Sequence, residues 1–370
     1  MTAALRVAVL GAGAVGREVV RTLLERPDSL RAADGAPLEL TGIAVRDMAR
    51  AIEAGLPEAI VTDAPAHLVA APETDIVVEL MGGDEPARTL IAAALSAGKA
   101  VVTANKHVLA HHGLQLEAIA RRTGAAFRFE AAVGGGIPVL GPLALDLAAN
   151  RFDAVRGIVN GTTNFILTAM ARDGRAYADV LADAQAAGYA EADPRSDVEG
   201  DDAANKLVIL VRLAFGRWLD VGSIGRAPDL VAGGLGPPGI TGVTSEDIAA
   251  AAAHGLVIKL IAAATRPDGD ILAAVRPSAL LLDSALGRTD GVINRIEVDG
   301  EPVGRVAFSG PGAGGAATSS AVLGDLIAIG REAGSTWAGL AAAAGAFRAG
   351  QPDASETFDG PSGVRYPVIR

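Results

Sequence analysis

A run of charged residues in the middle of the chain has the composition of a polar substrate site. Glu191, Asp193 and Asp197 crowd a stretch rich in small residues, and Asp202 and Lys206 follow four positions apart. That spacing places Asp202 and Lys206 on one face of a helix. The helix continues as an almost wholly apolar sequence, so we expect its start to lie near a domain interior. These residues predict a site for a small charged amino acid, and a solvated surface ion pair is the alternative.

A glycine-rich loop near the start of the chain is the second candidate site. Gly11, Gly13 and Gly16 match the G-x-G-x-x-G pattern of dinucleotide-binding loops, after a predicted strand and before a predicted helix. Gly11 permits the tight turn, Gly13 lets the backbone approach a pyrophosphate, and Gly16 lets helix and strand pack closely. Ala14 and Val15 open the helix, whose N-terminus attracts phosphate. An ordinary glycine-rich turn in an α/β fold is the alternative.

The end of the second predicted strand discriminates between nicotinamide cofactors. An acidic residue there would bind the ribose 2′-hydroxyl of NAD, whereas arginine suits the 2′-phosphate of NADP. Val45 is followed by Arg46, and Arg50 comes one turn later. Although Asp47 lies next to Arg46, the arginines predict NADP as the preferred cofactor and NAD as the other. The alternative is two arginines on a solvated helix start.

Thr103 and Lys106 follow another predicted strand of the first half. Ligands of parallel sheets bind outside the carboxyl ends of the strands, so we expect Lys106 to face the nicotinamide and the substrate. Histidines follow at positions 107, 111 and 112, but no acidic residue lies within that run. We therefore expect no zinc site there.

Glu130 ends a predicted strand and is followed by a turn containing three glycines. Backbone carbonyl groups together with one carboxylate would suit a monovalent cation. The residues of this candidate site are Glu130, Val133, Gly135 and Ile137. A domain hinge built from the glycines is the alternative.

Composition limits the class of protein. The chain has 370 residues, which predicts two domains. It has no cysteine, which excludes disulfides, thiolate metal sites and cysteine nucleophiles. Its net charge of −11 argues against nucleic acid as a partner. No apolar run approaches the ~20 residues of a membrane span, and signal cleavage would destroy the glycine loop, so we expect a cytoplasmic protein with no membrane contact.

The order of predicted elements gives the fold class. Alternating strands and helices over residues 1–142 predict an α/β Rossmann dinucleotide-binding domain. Residues 143–310 predict an α+β substrate-binding and dimerisation domain with a mainly antiparallel sheet, a helix capped by Ser245, and tight turns at Pro267–Gly269 and Asp299-Gly300. Residues 311–370 predict a helix, Thr318–Ile329, that returns to the first domain, and a polar, loosely ordered tail beyond residue 350.

Several of these motifs together resemble those of homoserine dehydrogenases, over nearly the whole chain. The most specific matching segments are Val101–Lys106, Asn160–Leu167, Gly188–Lys206, Gly239–Val243 and Gly310–Thr318. The resemblance implies the NAD(P)-dependent interconversion of L-aspartate 4-semialdehyde and L-homoserine. It also implies a place in the biosynthesis of threonine, methionine and isoleucine, and a homodimer formed by the sheet of the second domain.

The resemblance also implies a role for each candidate residue. Lys206 becomes the catalytic lysine or proton donor, assisted by Asp202, and Lys106 becomes a second active-site lysine beside the nicotinamide. Glu191 and Asp197 are similar to the family's contacts with the substrate, and donors near Gly161, Thr162 and Thr163 would bind the substrate carboxylate. Gly312 lies in a loop that touches the cofactor. The sodium ligands are Glu130, Val133, Gly135 and Ile137.

One departure from the family concerns regulation. Many bacterial members carry a C-terminal regulatory domain that binds an amino acid, but only about forty residues follow Gly330. We therefore do not expect feedback inhibition by threonine through such a domain.

Other functions remain open from the sequence. One is a different amino-acid dehydrogenase, and another is a non-catalytic NADP(H)-sensing protein on the same fold. A sensor has no need of Asp202 and Lys206 beside Glu191, so these residues favour catalysis.

Overall fold

The computed structural model describes residues 3–30 and 36–369. The chain forms two compact units, and each unit contains two stretches of sequence. The first unit comprises residues up to Ala148 and Ala313–Gly345, and the second comprises Ala149–Gly312 and the residues from Ala346 onward. The sequence placed its domain boundaries after residues 142 and 310.

Strands and helices alternate in the first unit, whereas the second unit has several consecutive helices and several consecutive strands. The first stretch contains β1 (Leu5–Leu10), α1 (Ala14–Glu25), β2 (Leu38–Ala44), α2 (Met48–Glu53), β3 (Val61–Thr62), α3 (Pro65–Ala70), β4 (Ile76–Glu79), α4 (Ala87–Ser96), β5 (Ala100–Thr103), α5 (Lys106–Thr123), β6 (Phe127–Arg128) and α6 (Leu140–Ala144). The second contains β7 (Arg151–Ile158), α7 (Gly161–Asp173), α8 (Tyr177–Ala186), α9 (Arg195–Val198), α10 (Asp201–Phe215), β8 (Trp218–Leu219), β9 (Asp229–Leu230), α11 (Ser245–Ala253), β10 (Leu256–Thr265), β11 (Leu272–Leu281), β12 (Ile293–Glu301) and β13 (Gly304–Pro311). The last elements are α12 (Gly315–Gly330), β14 (Ala346–Phe347), β15 (Thr357–Asp359) and β16 (Val364–Ile369).

The first unit contains a parallel sheet in the order β3-β2-β1-β4-β5-β6. This is the strand order of a Rossmann fold, so the predicted fold class is confirmed. Val7, Val9, Ile76, Val78 and Val102 are fully buried. Parallel strands are covered on both faces, which is why they are almost continuously apolar in sequence.

Helix α12 completes the core of this unit. Val322 and Leu326 are fully buried among residues of α1 and the central strands. A buried ion pair fixes the same helix to β6, because the guanidinium of Arg128 lies 2.7 Å from a carboxylate oxygen of Asp325. The other oxygen of Asp325 accepts the N–H of Glu130 at 2.8 Å.

The second unit contains a mixed sheet in the order β13-β12-β7-β10-β11-β16-β15, and β9 pairs with β16. Its pairs are antiparallel except β11 with β16, which confirms the prediction of a mainly antiparallel sheet. The predicted turn at Asp299-Gly300 is wrong, because both residues lie within β12 and Gly300 pairs with Gly304. The glycine instead fits a register shift, where a Cβ would come within 2.9 Å of the Phe152 ring.

The prediction of a loosely ordered tail is also wrong, since the tail carries β15 and β16. Asp247, fully buried on α11, accepts hydrogen bonds from the backbone N–H of Ser362 (2.9 Å) and the hydroxyl of Tyr366 (2.7 Å). The polar composition of this segment concealed the buried side of β16.

The cap of α11 is Thr244 rather than Ser245, because the side chain of Thr244 accepts the N–H of Asp247. Among the described residues, no helix combines the length and the apolar character needed to cross a membrane.

Candidate active site

The glycine loop connects β1 to α1, and its three glycines answer to different constraints. Gly11 has a φ of 99°, and a Cβ there would lie 2.7 Å from the carbonyl oxygen of Leu80. A Cβ on Gly16 would lie 2.1 Å from the carbonyl oxygen of Gly11. A Cβ on Gly13 would meet no atom within 4 Å. Packing therefore requires Gly11 and Gly16, whereas Gly13 leaves space that a bound pyrophosphate can approach.

A cleft of about 790 Å³ opens beside this loop within the first unit. Its lining includes Gly11 and Gly13, the loop from Leu80 to Gly83, and the segment that follows β2. Ala14 and Val15 begin α1, whose first N–H groups have no partner within the helix. The volume and these donors fit a dinucleotide, so the residues present can hold the predicted cofactor.

Three arginines line the cleft, Arg17, Arg46 and Arg50. Asp47 is the acidic residue here that could bind a ribose 2′-hydroxyl of NAD. Its carboxylate instead caps α2 and accepts the N–H of Arg50 at 3.0 Å. Arg17 was not singled out from the sequence, although it directly follows the last glycine of the loop. Its guanidinium donates to the carbonyl of Ala12 at 3.1 Å, which holds it beside the loop.

Thr103 and Lys106 lie at the carboxyl end of β5, as their order in the sequence predicts. Lys106 is the first residue of α5, and Asn105 caps that helix by accepting the N–H of Val108 at 3.1 Å. Thr103 is fully buried, and its hydroxyl donates to a carboxylate oxygen of Glu79 at 2.6 Å. The Thr103 side chain is therefore engaged within the protein.

A buried polar cluster lies in the second unit, where α10 begins. The Nζ of Lys206 donates to Asp202 and to the carbonyl oxygen of Val159, both at 2.7 Å. Asp202 and Lys206 are only 4% and 8% exposed, so this is not a solvated surface pair. The amide of Asn160 donates to Asp202 at 2.9 Å and to Asp197 at 2.7 Å. Sequence reasoning identified all of these side chains except Asn160, which it named only as the first residue of the segment Asn160–Leu167.

The cluster favours positive ligands beside its carboxylates. Burial raises the pKa of Asp197, and the charge of Asp202 raises it further. The hydrogen bond from Asn160 and the charge of Lys206 act in the opposite direction and lower this pKa. A ligand ammonium group would also stabilise the ionised form of Asp197.

The N-terminus of α7 adjoins the cluster. Asn160 caps the helix by accepting the N–H of Thr163 at 2.8 Å, and Gly161 is the first helical residue. The hydroxyl of Thr162 donates to the carbonyl oxygen of Tyr189 at 2.8 Å. This bond ties α7 to the segment that carries the other predicted substrate residues.

The structure does not bring every predicted acidic residue into the cluster. Glu191 is exposed, and its backbone carbonyl accepts the side-chain amide of Gln185 at 3.0 Å. Asp193 is exposed and pairs with Arg195 at 2.5 Å, which lowers the pKa of Asp193 to about 2. Asp197, by contrast, shares the amide donor of Asn160 with Asp202.

The predicted cation site has a different environment from the one expected. The carboxylate of Glu130 accepts the backbone N–H groups of residues 139, 140 and 141, at 2.6 to 2.8 Å. Burial raises the pKa of Glu130, and the nearby charge of Asp325 raises it further. This carboxylate stabilises the start of α6, so a cation would depend on backbone carbonyl oxygens of Glu130, Val133, Gly135 and Ile137. Among the described residues, no group of three or more His, Cys, Asp or Glu side chains could hold a metal.

Gly312 lies where the second unit's chain leaves β13. A Cβ there would come within 2.0 Å of the side-chain amide of Asn294, which is fully buried. The glycine is therefore required by packing on β12.

A Rossmann sheet with an intact glycine loop, and a buried lysine–carboxylate cluster in a second α+β unit, define a two-domain oxidoreductase that uses a dinucleotide. The family model "Homoserine dehydrogenase, NAD binding domain" matches residues 11–130, and the model "Homoserine dehydrogenase" matches residues 138–327. The chain belongs to the homoserine dehydrogenase family.

Individual relatives agree with this assignment. The homoserine dehydrogenase of Corynebacterium glutamicum is 45% identical over 89% of this chain and 72% of its own length. A crystal structure of a homoserine dehydrogenase from Thiobacillus denitrificans has a TM-score of 0.82 and 40% identity, covering 88% of this chain and 73% of that one. A hyperthermophilic archaeal homoserine dehydrogenase mutant, in complex with NADPH, has a TM-score of 0.72 and 27% identity, covering 89% and 98%.

Proposed function

We propose that this chain reduces L-aspartate 4-semialdehyde to L-homoserine reversibly, with Lys206 as the residue that exchanges the proton. Family membership makes it an NAD(P)-dependent oxidoreductase acting on a CH–OH group, in amino-acid biosynthesis. The observation that carries the residue assignment is the buried contact of Lys206 with Asp202 and Val159. Such a contact fixes one ammonium group in a defined place away from bulk water.

When bound, the nicotinamide supplies a hydride to the aldehyde carbon, and the former carbonyl oxygen becomes an alkoxide. An ammonium group has three N–H donors, and Asp202 and Val159 take two from Lys206. The third would donate to the substrate oxygen, stabilise the developing charge and deliver the proton. In the direction of oxidation, neutral Lys206 would accept the hydroxyl proton. We propose that Lys106 acts as the second lysine of the site.

Substrate recognition follows from the charges around this lysine. The carboxylates of Asp197 and Asp202 suit the ammonium group of the amino acid. The N–H groups of Gly161 and Thr162 at the start of α7 suit its carboxylate, because a helix N-terminus favours negative charge. Glu191 stays a proposed contact with the substrate amino group, tested by comparing the KM of Glu191→Gln with that of the unmodified protein.

The arginines of the cleft support NADP as the preferred cofactor. Arg46, Arg50 and Arg17 supply positive charge, and Asp47 is engaged in capping α2. A 2′-phosphate would gain charge-assisted hydrogen bonds from these arginines that a 2′-hydroxyl would not. The remaining cofactor contacts that we propose are the glycine loop with Ala14 and Val15, the backbone of Thr103, and Gly312.

The assembly and ion requirements are also proposals. We propose a homodimer through the sheet of the second unit, where Val257, Ala263 and Ile369 are only partly buried and leave some apolar surface for a second copy. Sedimentation analysis would test it. A sodium ion held by carbonyl oxygens would be tested by replacing sodium with choline during turnover. A cytoplasmic location would be tested by cell fractionation.

The central experiment follows oxidation of NADPH on addition of L-aspartate 4-semialdehyde, with NADH in parallel and with L-homoserine and NADP in reverse. Turnover in both directions is expected, together with a lower KM for NADPH than for NADH. Binding of NADPH without any turnover would contradict the proposed reaction and leave an NADP(H)-sensing protein. Lys206→Ala serves as the matched inactive control.

A further inference from the structure

A buried carboxylate lies beneath the cofactor cleft and is not among the residues proposed to contact the cofactor or the substrate. Glu79 is the last residue of β4 and is fully buried. One of its carboxylate oxygens accepts the N–H groups of Met81 (2.8 Å) and Gly82 (3.2 Å). The other accepts the hydroxyl of Thr103 at 2.6 Å. Glu79 therefore joins the loop after β4 to the end of β5.

The network continues to the helix that carries Lys106. The hydroxyl oxygen of Thr103 accepts the N–H of Asn105 at 2.9 Å. The side-chain amide of Asn105 donates to the carbonyl oxygen of Gly83 at 2.9 Å, and its oxygen caps α5. The bonds form a closed ring that runs through Glu79, Thr103, Asn105 and the loop from Met81 to Gly83. Lys106 is the next residue along the chain.

Burying a carboxylate at this position lowers the stability of the fold, so a purely structural role does not explain why it is there. Burial raises the pKa of Glu79, and its hydrogen-bond donors act in the opposite direction. Its partners are backbone amides and side chains without charge rather than a cation. An apolar side chain would pack at the end of β4 without this desolvation penalty. What an apolar side chain cannot do is accept three hydrogen bonds from two different segments, one of which lines the cleft.

We propose that Glu79 is a positioning residue of the reaction, which sets the loop from Leu80 to Gly83 against the cofactor and sets the first turn of α5, with Lys106, at the same site. Leu80, Met81, Gly82 and Gly83 all line the cleft of the first unit. This inference rests on the proposed function, because it assumes that the cleft binds NADPH and that Lys106 acts there. Glu79 itself is fully buried, so the proposal assigns it no contact with the cofactor.

Two variants separate the bonds from Glu79 to Met81 and Gly82 from the bond between Glu79 and Thr103. Glu79→Ala removes every acceptor, so we expect the Kd for NADPH to rise about tenfold and kcat to fall about tenfold or more. Glu79→Gln keeps one oxygen for Met81 and Gly82 but offers an NH2 group to Thr103. We therefore expect Glu79→Gln to keep the Kd for NADPH within about threefold of the original while kcat falls about tenfold.

The control is Leu95→Ala, which opens a cavity in the same unit at a fully buried position near the end of α4. It should lower the melting temperature without changing the Kd for NADPH or kcat measured at 25 °C. The Kd is measured directly by nucleotide fluorescence, and kcat is measured with L-aspartate 4-semialdehyde at saturating NADPH.

The proposal is overturned if Glu79→Gln keeps both the Kd and kcat within about twofold, or if Glu79→Ala changes them no more than Leu95→Ala does. If Glu79→Ala does not fold, the result with Glu79→Gln decides alone. Should the unmodified protein bind NADPH but fail to reduce the semialdehyde, the proposed function fails. The two Kd values would then still show whether Glu79 sets the cofactor loop.

Discussion

Replacing Lys206 by methionine tests the centre of the proposed mechanism. The substitution keeps most of the length of the side chain but removes the ammonium group that Asp202 and Val159 hold. Asp202 then keeps the amide of Asn160 as a hydrogen-bond donor, while it remains 4% exposed. Removing one partner of a buried ion pair typically destabilises a protein by about 3 kcal/mol or more. For a domain of this size, that corresponds to a melting temperature lowered by about 10 °C.

The catalytic effect is separable from this destabilisation. Loss of a proton donor typically lowers turnover by about 10²–10⁴-fold, and we expect a fall of about a thousandfold, equivalent to about 4 kcal/mol of activation free energy. The double variant Lys206→Met, Asp202→Asn removes the buried charge that was left behind. We therefore expect the double variant to regain most of the melting temperature but none of the turnover.

The assay compares three proteins by differential scanning fluorimetry, by NADPH fluorescence and by oxidation of NADPH with L-aspartate 4-semialdehyde. The Kd for NADPH should stay within about twofold in all three, because both substitutions lie in the second unit. Turnover by Lys206→Met within about tenfold of the original would refute Lys206 as the proton donor. Turnover regained by the double variant would show that Lys206 acts only by stabilising the fold.

Three further predictions concern the cofactor and the substrate. Arg46→Ala should raise the KM for NADPH about tenfold and leave the KM for NADH almost unchanged, whereas equal effects on both would remove Arg46 from the 2′-phosphate site. Gly13→Ala should leave the melting temperature unchanged and weaken NADPH binding, because its Cβ would meet no other atom of the protein. Gly16→Ala should lower both the melting temperature and the affinity for NADPH, because its Cβ would collide with the backbone. Differential scanning fluorimetry and titration with NADPH distinguish the two variants. Because burial raises the pKa of Asp197, its carboxylate is lost at a higher pH than an exposed aspartate as the pH falls. The KM for L-homoserine should rise over that range, and a pH profile of Asp197→Asn that still shows the same rise would contradict this assignment.

Residues in local motifs could be predicted from the sequence. Gly11, Gly13 and Gly16 act through the conformation of a single loop, and Asp202 and Lys206 act through the periodicity of one helix. Short-range geometry determines both patterns, so spacing in the sequence is enough to identify them. The alternation of apolar strands with helices gave the parallel sheet for the same reason.

Contacts between distant segments could not be predicted in this way. Asn160 reaches Asp197 and Asp202 only because α7 and α10 begin side by side in the folded unit. The carboxylate of Glu130 was expected to be available to a cation, yet the start of α6 supplies three backbone donors to it. The spacing of residues in sequence does not report which distant N–H groups reach a buried carboxylate.

The tail illustrates the same limit for secondary structure. Its polar and glycine-containing sequence resembled a disordered segment, but the buried Asp247 provides acceptors for Ser362 and Tyr366. A strand in a mainly antiparallel sheet can have only one face buried, so a short segment with a weak apolar pattern can still form one.

The chain passes from one unit to the other three times, after residues 148, 312 and 345. During synthesis, the six strands of the first unit emerge long before Val322 and Leu326, which close its core. The nascent protein must therefore keep an unfinished apolar face exposed while β7 to β13 of the other unit are being made, a period in which the chain is prone to aggregate. Cleavage by a protease at one of these three positions would not separate the two units as intact folded fragments, because each unit consists of two separate segments of the chain.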